Sequence, residues 1–195
     1  MFTSQICSHP GCKSYVSAPF GTCFHHSGSK EKEIILESLR KTLSSRTTVR
    51  DVSIIGGDFE NLDISGKSIW ASNFSFSTFR SCDFSSSRIS TSFFDMCIFI
   101  DCVFSELSAR YCVFSGSRIT RCSFAMSTMF NCNLIGLDCL DNDFSSSDLY
   151  FSNFSMSRIE NTKFEDCNIK RTNYKACALK NVSFRYSNTQ DAYFS

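Results

Sequence analysis

Three cysteines and three histidines are grouped within the first 26 residues of this chain, ahead of any regular repeat. Cys7 and Cys12 flank a Pro10-Gly11 turn, and Cys23 and His26 follow as a Cys-x-x-His pair. Thiolate and imidazole groups are the ligands that zinc takes in proteins, and ligand pairs on short turns are the usual construction of a small tetrahedral site. The spacing predicts a zinc site formed by Cys7, Cys12, Cys23 and His26.

Two neighbouring histidines leave the fourth ligand open. His25 is the alternative to His26, and His9 is disfavoured because it lies inside the turn. Three unligated cysteines in a mobile tail are a further alternative, as is one disulfide with a cysteine left over. Because four protein ligands leave no open coordination position, the predicted site is structural and not catalytic.

A short amphipathic segment follows the predicted zinc site in the sequence. From Lys30 to about Leu43 the apolar residues recur at helical spacing, with Ser29 as the expected N-cap. The apolar face consists of Ile35, Leu36, Leu39 and Leu43. We expect this helix to cover one end of the larger structure that follows.

The rest of the chain has a period of five. Every fifth residue from Phe59 to Phe194 is large and apolar, except at Ala109, Cys139 and Thr189. A period of five fits neither a helix nor a flat strand, so the backbone must turn once per repeat.

The sequence also has a longer period of twenty residues. The series that begins at Ile64 and Phe84 is aromatic in six of seven places, whereas the series that begins at Ile69 and Ile89 contains no aromatic residue. A four-sided solenoid explains this sorting, because four repeats make one coil and equivalent side chains stack between coils. Seven coils at the strand spacing of about 4.8 Å give a rod about 30 Å long.

The residue two places before each central residue is mostly small, which suits a second inward-pointing site near a corner. Eight cysteines occupy this position, and we interpret them as buried packing residues and not as a disulfide ladder. Larger residues at the same position predict bulged corners. They are Leu62, Lys67, Leu107, Leu137, Asn142 and Val182.

Repeats such as Ser-Asn-Phe-Ser-Phe at 72–76, Cys-Asp-Phe-Ser-Ser at 82–86 and Ser-Asn-Phe-Ser-Met at 152–156 resemble the pentapeptide repeat family. The resemblance covers roughly residues 54–195. It implies a right-handed quadrilateral β-helix, an all-β solenoid. It also implies one candidate function, since the best-known members resemble a rod of duplex DNA and bind DNA gyrase. Fold and activity are separate matters, so the resemblance alone does not assign a function.

The charge distribution weakens a DNA-mimic function. Residues 51–157 carry 12 acidic and 6 basic side chains, but residues 158–185 carry 3 acidic and 7 basic ones. A mimic of a polyanion is expected to be acidic throughout. Gyrase binding remains the alternative hypothesis, and it would be favoured if residues 51–157 formed one continuous acidic face.

One outward cluster differs from the mixed, solvated surface elsewhere. Aromatic residues alternate with arginine there, as they do in protein-binding hot spots. The cluster consists of Trp70, Arg110, Tyr111, Phe130, Tyr150 and Phe151. No catalytic constellation is present in the sequence, so we predict a non-enzymatic rod that binds a protein partner through its sides. The alternative is that these rings merely fold back over the rod.

The chain ends at Ser195, directly after the apolar pair Tyr193-Phe194, which predicts an open last coil and a tail-to-tail homodimer through that pair. No apolar run is long enough to cross a membrane, and no secretory signal precedes the cysteines, so we expect a cytoplasmic protein. The predicted division of the chain is a knuckle at 1–29, a capping helix and linker at 30–50, and the solenoid at 51–195.

Overall fold

The computed structural model describes residues 5–17 and 20–194, so residues 1–4, 18, 19 and 195 of the predicted domains lie outside it. A 3-10 helix (Phe24–His26) precedes the helix α1 (Ser29–Ser45), and twelve strands follow. The strands are β1 (Thr48–Arg50), β2 (Asp58–Glu60), β3 (Ser68–Trp70), β4 (Thr78–Arg80), β5 (Arg88–Ser90), β6 (Ile98–Ile100), β7 (Ser108–Arg110), β8 (Arg118–Thr120), β9 (Thr128–Phe130), β10 (Asp138–Leu140), β11 (Arg158–Glu160) and β12 (Ala178–Lys180).

The strands form two parallel sheets on opposite sides of a β-solenoid of about seven turns. One sheet has the order β1-β3-β5-β7-β9, and the other contains β2, β4, β6, β8, β10, β11 and β12. Neighbouring strands of a sheet pair at an offset of twenty residues, as Val49 does with Ile69 and Phe59 with Phe79. Single bridges with the same offset join the two remaining sides. The predicted four-sided fold is confirmed.

The core consists of four columns of central residues, one for each side. In the column of Phe84, Phe104, Phe124, Phe144 and Phe164, successive rings stack almost in parallel, with centroids 4.4–4.9 Å apart. Rings from adjacent sides meet edge to face, as Phe99 and Phe104 do at 5.4 Å, and so do rings from opposite sides, as Phe144 and Phe154 do at 6.0 Å. Offset-parallel and edge-to-face arrangements are the favourable geometries for aromatic pairs, so the columns stabilise the coil spacing.

Each repeat turns at the residue two places after its central one, and there the backbone has a positive φ without exception from Asp51 to Asp191. Only four of these positions are glycine. Left-handed conformation is unfavourable for a residue with a Cβ, so residues such as Phe76 and Tyr111 keep it only because the hydrogen bonds between coils hold it on both sides.

The small inward residues do more than fill space. The Ser117 hydroxyl donates to the carbonyl of Phe94 in the coil below, at 2.8 Å, and accepts from the backbone N–H of Cys97, at 2.9 Å. Ser152, Ser157 and Ser187 donate in the same way, and the Cys167 thiol does so at 3.0 Å. Buried backbone groups at the corners are thereby satisfied.

The larger residues at this position do not produce the predicted bulges within the described part of the chain, because the twenty-residue register continues past them. Asn142 performs both hydrogen bonds itself, donating to the Ile119 carbonyl and accepting from the Cys122 N–H, each at 2.9 Å. Leu107 has no donor, and the Phe84 carbonyl instead accepts from the Ser87 hydroxyl at 2.6 Å. The bulge prediction is wrong because the corners have room for a leucine.

Helix α1 packs on the first coil, as the apolar spacing predicts. Ile35, Leu39 and Leu43 are buried in the same core as Val49 and Ile54. The N-cap is Gly28 and not Ser29, since the Gly28 N–H donates to the Glu31 carboxylate at 2.9 Å. A carboxylate can bind that backbone group without a hydroxyl at the cap.

All twelve cysteines are free, so the described chain contains no disulfide ladder. Burial raises the pKa of the Cys97 thiol to about 12, as expected for a packing residue in the core. No helix in the described residues has the length and apolar character needed to span a membrane.

Candidate functional sites

The four predicted metal ligands come together at the N-terminal end of the rod. A short antiparallel bridge between Ile6 and Tyr15 holds Cys7 beside the loop of Cys12, where Gly11 adopts a positive φ of 78°. The 3-10 helix starts directly after Cys23 and places His26 one turn later. The ligand atoms of Cys7, Cys12, Cys23 and His26 all lie within 4.8 Å of one another.

The distances between these atoms match the edges of a zinc tetrahedron. Zinc–sulfur bonds of about 2.3 Å and zinc–nitrogen bonds of about 2.0 Å place two sulfurs about 3.8 Å apart and a sulfur and a nitrogen about 3.5 Å apart. The Sγ atoms of Cys12 and Cys23 are 3.9 Å apart. The His26 Nδ1 atom lies 3.5 Å from Cys7 Sγ and 3.4 Å from Cys23 Sγ. Three thiols and one imidazole therefore fit a tetrahedral metal ion in both donor type and spacing.

The surroundings of His26 favour the neutral imidazole that a metal ion requires. Loss of hydration lowers the pKa of His26, and the nearby charges of His9, His25 and Lys32 lower it further. The ring of His9 stacks on that of His26, with centroids 3.9 Å apart and planes 6° from parallel. His9 thus covers the ligand, a contact that the sequence did not suggest.

The remaining histidine is not part of the cluster. The His25 ring is exposed and meets His26 edge to face at 5.1 Å. The thiols of Cys7 and Cys23 act on each other: burial raises the pKa of Cys23, whereas at Cys7 burial is outweighed by hydrogen bonds with Cys23, His9 and Cys12, which lower its pKa. One of the two thiols therefore ionises more readily than the other.

The predicted interaction surface lies along the outer face of the β1–β9 sheet. We call Trp70, Arg110, Tyr111, Phe130, Tyr150 and Phe151 the aromatic strip. Five of its six residues form a continuous cluster. The Arg110 guanidinium lies over the Phe130 ring at 5.8 Å, and Phe130 stacks on Tyr150 at 5.8 Å. Tyr111 meets Phe130 edge to face, and Phe151 lies 5.9 Å from Tyr150.

Trp70 stands apart from this cluster. Ser90 lies between Trp70 and Arg110 in the sheet register. The Arg50 guanidinium covers the indole at 5.4 Å. Arg50 was missed in the sequence because the five-residue register was counted only from Phe59, although Val49 already belongs to it. Counting twenty residues back from Trp70 would have found Arg50.

The strip is accessible to a partner. Tyr111 is 53% exposed, Phe151 51% and Trp70 45%, while Phe130 and Tyr150 are half-buried. The rings contact one another and do not fold into the core. A rigid, partly exposed aromatic cluster bordered by arginine is the composition of protein-binding hot spots.

The last coil also exposes apolar side chains. One face of Phe194 stacks on Tyr174 at 5.3 Å, yet Phe194 is 42% exposed. Tyr193 and Leu179 are exposed beside it. These residues form the end of the described solenoid, where the predicted dimer seam would lie.

Comparison with known proteins agrees with this architecture. Residues 97–136 match the pentapeptide repeats, as eight copies. The turn geometry of that segment is the same from Asp51 to Asp191. Residues 97–136 therefore consist of pentapeptide repeats, and the chain as a whole is a β-solenoid with one helix and a Cys/His cluster near its N-terminus. No curated protein matches the sequence.

Several solved structures are similar to it. The trypsin-treated form of QnrB1, a plasmid-mediated fluoroquinolone resistance protein, matches over 72% of this chain and 81% of its own, with 17% identity and a TM-score of 0.45. HetL, a pentapeptide repeat protein involved in heterocyst differentiation regulation from the cyanobacterium Nostoc sp. strain PCC 7120, matches over 80% and 94%, with 12% identity and a TM-score of 0.42. A pentapeptide repeat protein from the Arabidopsis thaliana thylakoid lumen matches over 68% and 64%, with 21% identity and a TM-score of 0.31.

Proposed function

We propose that this protein is a non-enzymatic interaction rod that binds a protein partner through the aromatic strip. The observation that supports this most directly is the contact between Arg110, Phe130 and Tyr150, which holds the strip together before any partner arrives. Side chains that are already ordered lose less conformational entropy on binding. A partner can thus gain apolar contact with a rigid surface.

The test is a pull-down that compares three versions of the intact chain. The first is wild type, and the second carries Phe130→Ser and Tyr150→Ser in the strip. The third is a matched control with Leu140→Ser on the opposite sheet, where Leu140 is exposed to a similar degree. We expect a partner that the wild type and the control retain and the strip variant loses. Retention of the same partner by all three would place the interaction elsewhere on the rod.

We further propose that zinc occupies the Cys7, Cys12, Cys23 and His26 cluster and holds the N-terminal unit against α1. Among its described residues the unit has few buried apolar side chains of its own; Phe24 joins the rod's core, and the partly buried Phe20 packs against it. Metal–ligand bonds would supply folding free energy that hydrophobic burial cannot supply in so short a segment.

A DNA mimic that binds gyrase is the alternative function, and the charge distribution gives it little support. Nine of the twelve carboxylates of residues 51–157 lie on two adjacent sides of the rod, those whose central residues include Phe59 and Ile64. Several of them are neutralised by arginine, as Asp101 is by Arg121 at 2.7 Å. These arginines and the basic residues of 158–185 interrupt the acidic surface, whereas a mimic of a polyanion is expected to be acidic along its length.

A homodimer through Tyr193 and Phe194 is proposed as well, because burying the exposed apolar groups of the last coil would be favourable. The cytoplasmic location and the absence of enzyme activity belong to the same proposal. A reducing compartment suits the twelve free cysteines.

A further inference from the structure

The two opposite sheets differ in how their basic residues are paired. On the β2–β12 side, every basic residue of the sheet and its corner pairs with a carboxylate. The pairs are Arg80 with Asp58, Arg118 with Asp138, Arg121 with Asp101, and both Arg158 and Lys180 with Glu160. That side is therefore locally neutral and offers little attraction to a charged partner.

On the β1–β9 side, cations lie beside aromatic rings instead. Arg50 covers Trp70, Arg110 covers Phe130, and neither arginine makes an ion pair with any residue that the structure describes. Arg88 and Lys170 also lack an ion pair within the described ranges 5–17 and 20–194. A ring does not neutralise a guanidinium, and the donors at its rim stay available for a carboxylate.

The carboxylates of this side keep their negative charge but are fewer than its cations, so they offset them only in part. Asp148 accepts hydrogen bonds from the Asn168 amide at 2.9 Å and from the Tyr150 N–H at 3.1 Å. Asp191 lies 3.7 Å from Arg171, and Asp51 is not free either. The strip is left with unpaired positive charge among its aromatic residues.

We infer that the partner of the aromatic strip is an acidic peptide segment in extended conformation. This inference rests on the proposed function and adds the chemistry of the ligand. Carboxylates of the segment would pair with Arg50, Arg110 and Lys170, and its apolar side chains would contact the edges of Phe130 and Tyr150. Complementary charge of this kind directs encounter and selects among partners.

The spacing fits an extended chain. Arg50, Trp70, Ser90, Arg110 and Phe130 follow one another in the sheet register. Six steps of about 4.8 Å separate Arg50 from Lys170, so the row that runs from Arg50 through the strip to Lys170 is about 29 Å long. A peptide of about nine residues, at roughly 3.3 Å each, spans that length.

Single-stranded nucleic acid is less well suited to this surface. Bases bind to the open faces of aromatic rings. One face of Phe130 is covered by Arg110 and the other by Tyr150, so the strip presents ring edges at its centre. Edges favour aliphatic side chains and carbonyl groups over a stacked base.

The experiment is a selection from a random library of twelve-residue peptides displayed on phage, with the intact chain as bait. The baits are wild type, the strip variant Phe130→Ser and Tyr150→Ser, and a charge variant with Arg50→Gln, Arg110→Gln and Lys170→Gln. A matched control carries Arg80→Gln, Arg118→Gln and Arg158→Gln on the opposite sheet. Circular dichroism and thermal melting must first show that each bait is folded.

We expect the wild type and the control to enrich sequences rich in Asp and Glu. A synthetic copy of an enriched peptide should bind the charge variant at least about tenfold more weakly, and its affinity for the wild type should fall as salt is added. Enrichment of neutral or basic peptides that the strip variant loses would overturn the acidic partner and leave the proposed function standing. A wild type that enriches nothing beyond the strip variant would overturn both.

Two direct binding assays cover other polyanions. A twenty-nucleotide oligothymidylate and vesicles containing phosphatidylserine are titrated with the wild type and the charge variant. Tighter binding of either probe than of the selected peptide, lost in the charge variant, would overturn the inference in favour of nucleic acid or a membrane surface.

Discussion

Phe104 and Phe124 stack in successive coils with ring centroids 4.4 Å apart and planes 4° from parallel. Phe144 continues the column from Phe124 at 4.5 Å and 6°. Phe124 is thus enclosed between two rings and fully buried. A smaller side chain at this position would therefore leave a gap next to both neighbouring coils, because the core is closely packed.

Phe124→Ala should therefore lower the free energy of unfolding by about 3–5 kcal/mol, through lost burial and an unfilled cavity. Chemical denaturation of the purified protein measures this change. Met126→Ala is the matched control, because Met126 belongs to the same turn but is exposed, and its effect should stay within about 0.5 kcal/mol. A loss below about 1 kcal/mol for Phe124→Ala would contradict the column.

Asn142 provides a test of the hydrogen bonds at the corners. Asn142→Ala removes the partner of the Cys122 N–H and of the Ile119 carbonyl, both buried, and should cost about 1–3 kcal/mol of stability. Asn142→Ser should recover much of that loss, since serine makes both bonds in neighbouring coils, as Ser117 does. Equal destabilisation by the two substitutions would mean that these bonds contribute little.

The metal site predicts a stoichiometry. Protein purified without added zinc should contain about one zinc ion per chain by elemental analysis. His26→Ala should reduce the zinc content and expose Cys7, Cys12 and Cys23 to a thiol reagent. His25→Ala is the control and should retain the metal, because His25 lies outside the cluster. A metal-free wild type whose three N-terminal cysteines all react freely would rule the site out.

The columns could be predicted from the sequence because each of the four sides must bury one apolar residue per coil. An offset of twenty residues then places similar side chains above one another. The Cys/His cluster could be predicted because thiols and imidazoles are concentrated outside that pattern. Both signals come from residue type and spacing alone. Neither depends on how side chains are oriented at the surface.

The pairing of surface charges could not be predicted in this way. Arg80 and Arg110 both follow a central residue directly, yet the first pairs with Asp58 and the second lies over Phe130. The neighbour one coil away decides the outcome, and that neighbour is known only once the register is fixed. The bulges expected at Leu107 and Asn142 are absent for a related reason: Asn142 makes the hydrogen bonds to the adjacent coil itself, and Ser87 donates to the Phe84 carbonyl that Leu107 cannot serve.

The last coil predicts self-association. Phe194 and Tyr193 are exposed at the end of the described solenoid, and pairing two copies about a two-fold axis would bury them and continue the sheets. Sedimentation should report a dimer that becomes monomeric when both residues are replaced by Asp, because carboxylates opposed across the seam repel.

Tyr186→Asp is the control for the seam. Tyr186 is exposed at the turn after Phe184, two repeats before Phe194, and its replacement should leave the dimer intact. The basic residues Lys175 and Lys180 oppose the association unless they lie outside the seam, so dimerisation should strengthen as salt screens them. A wild type that stays monomeric at high micromolar concentration would contradict the seam and leave the aromatic strip as the candidate interface.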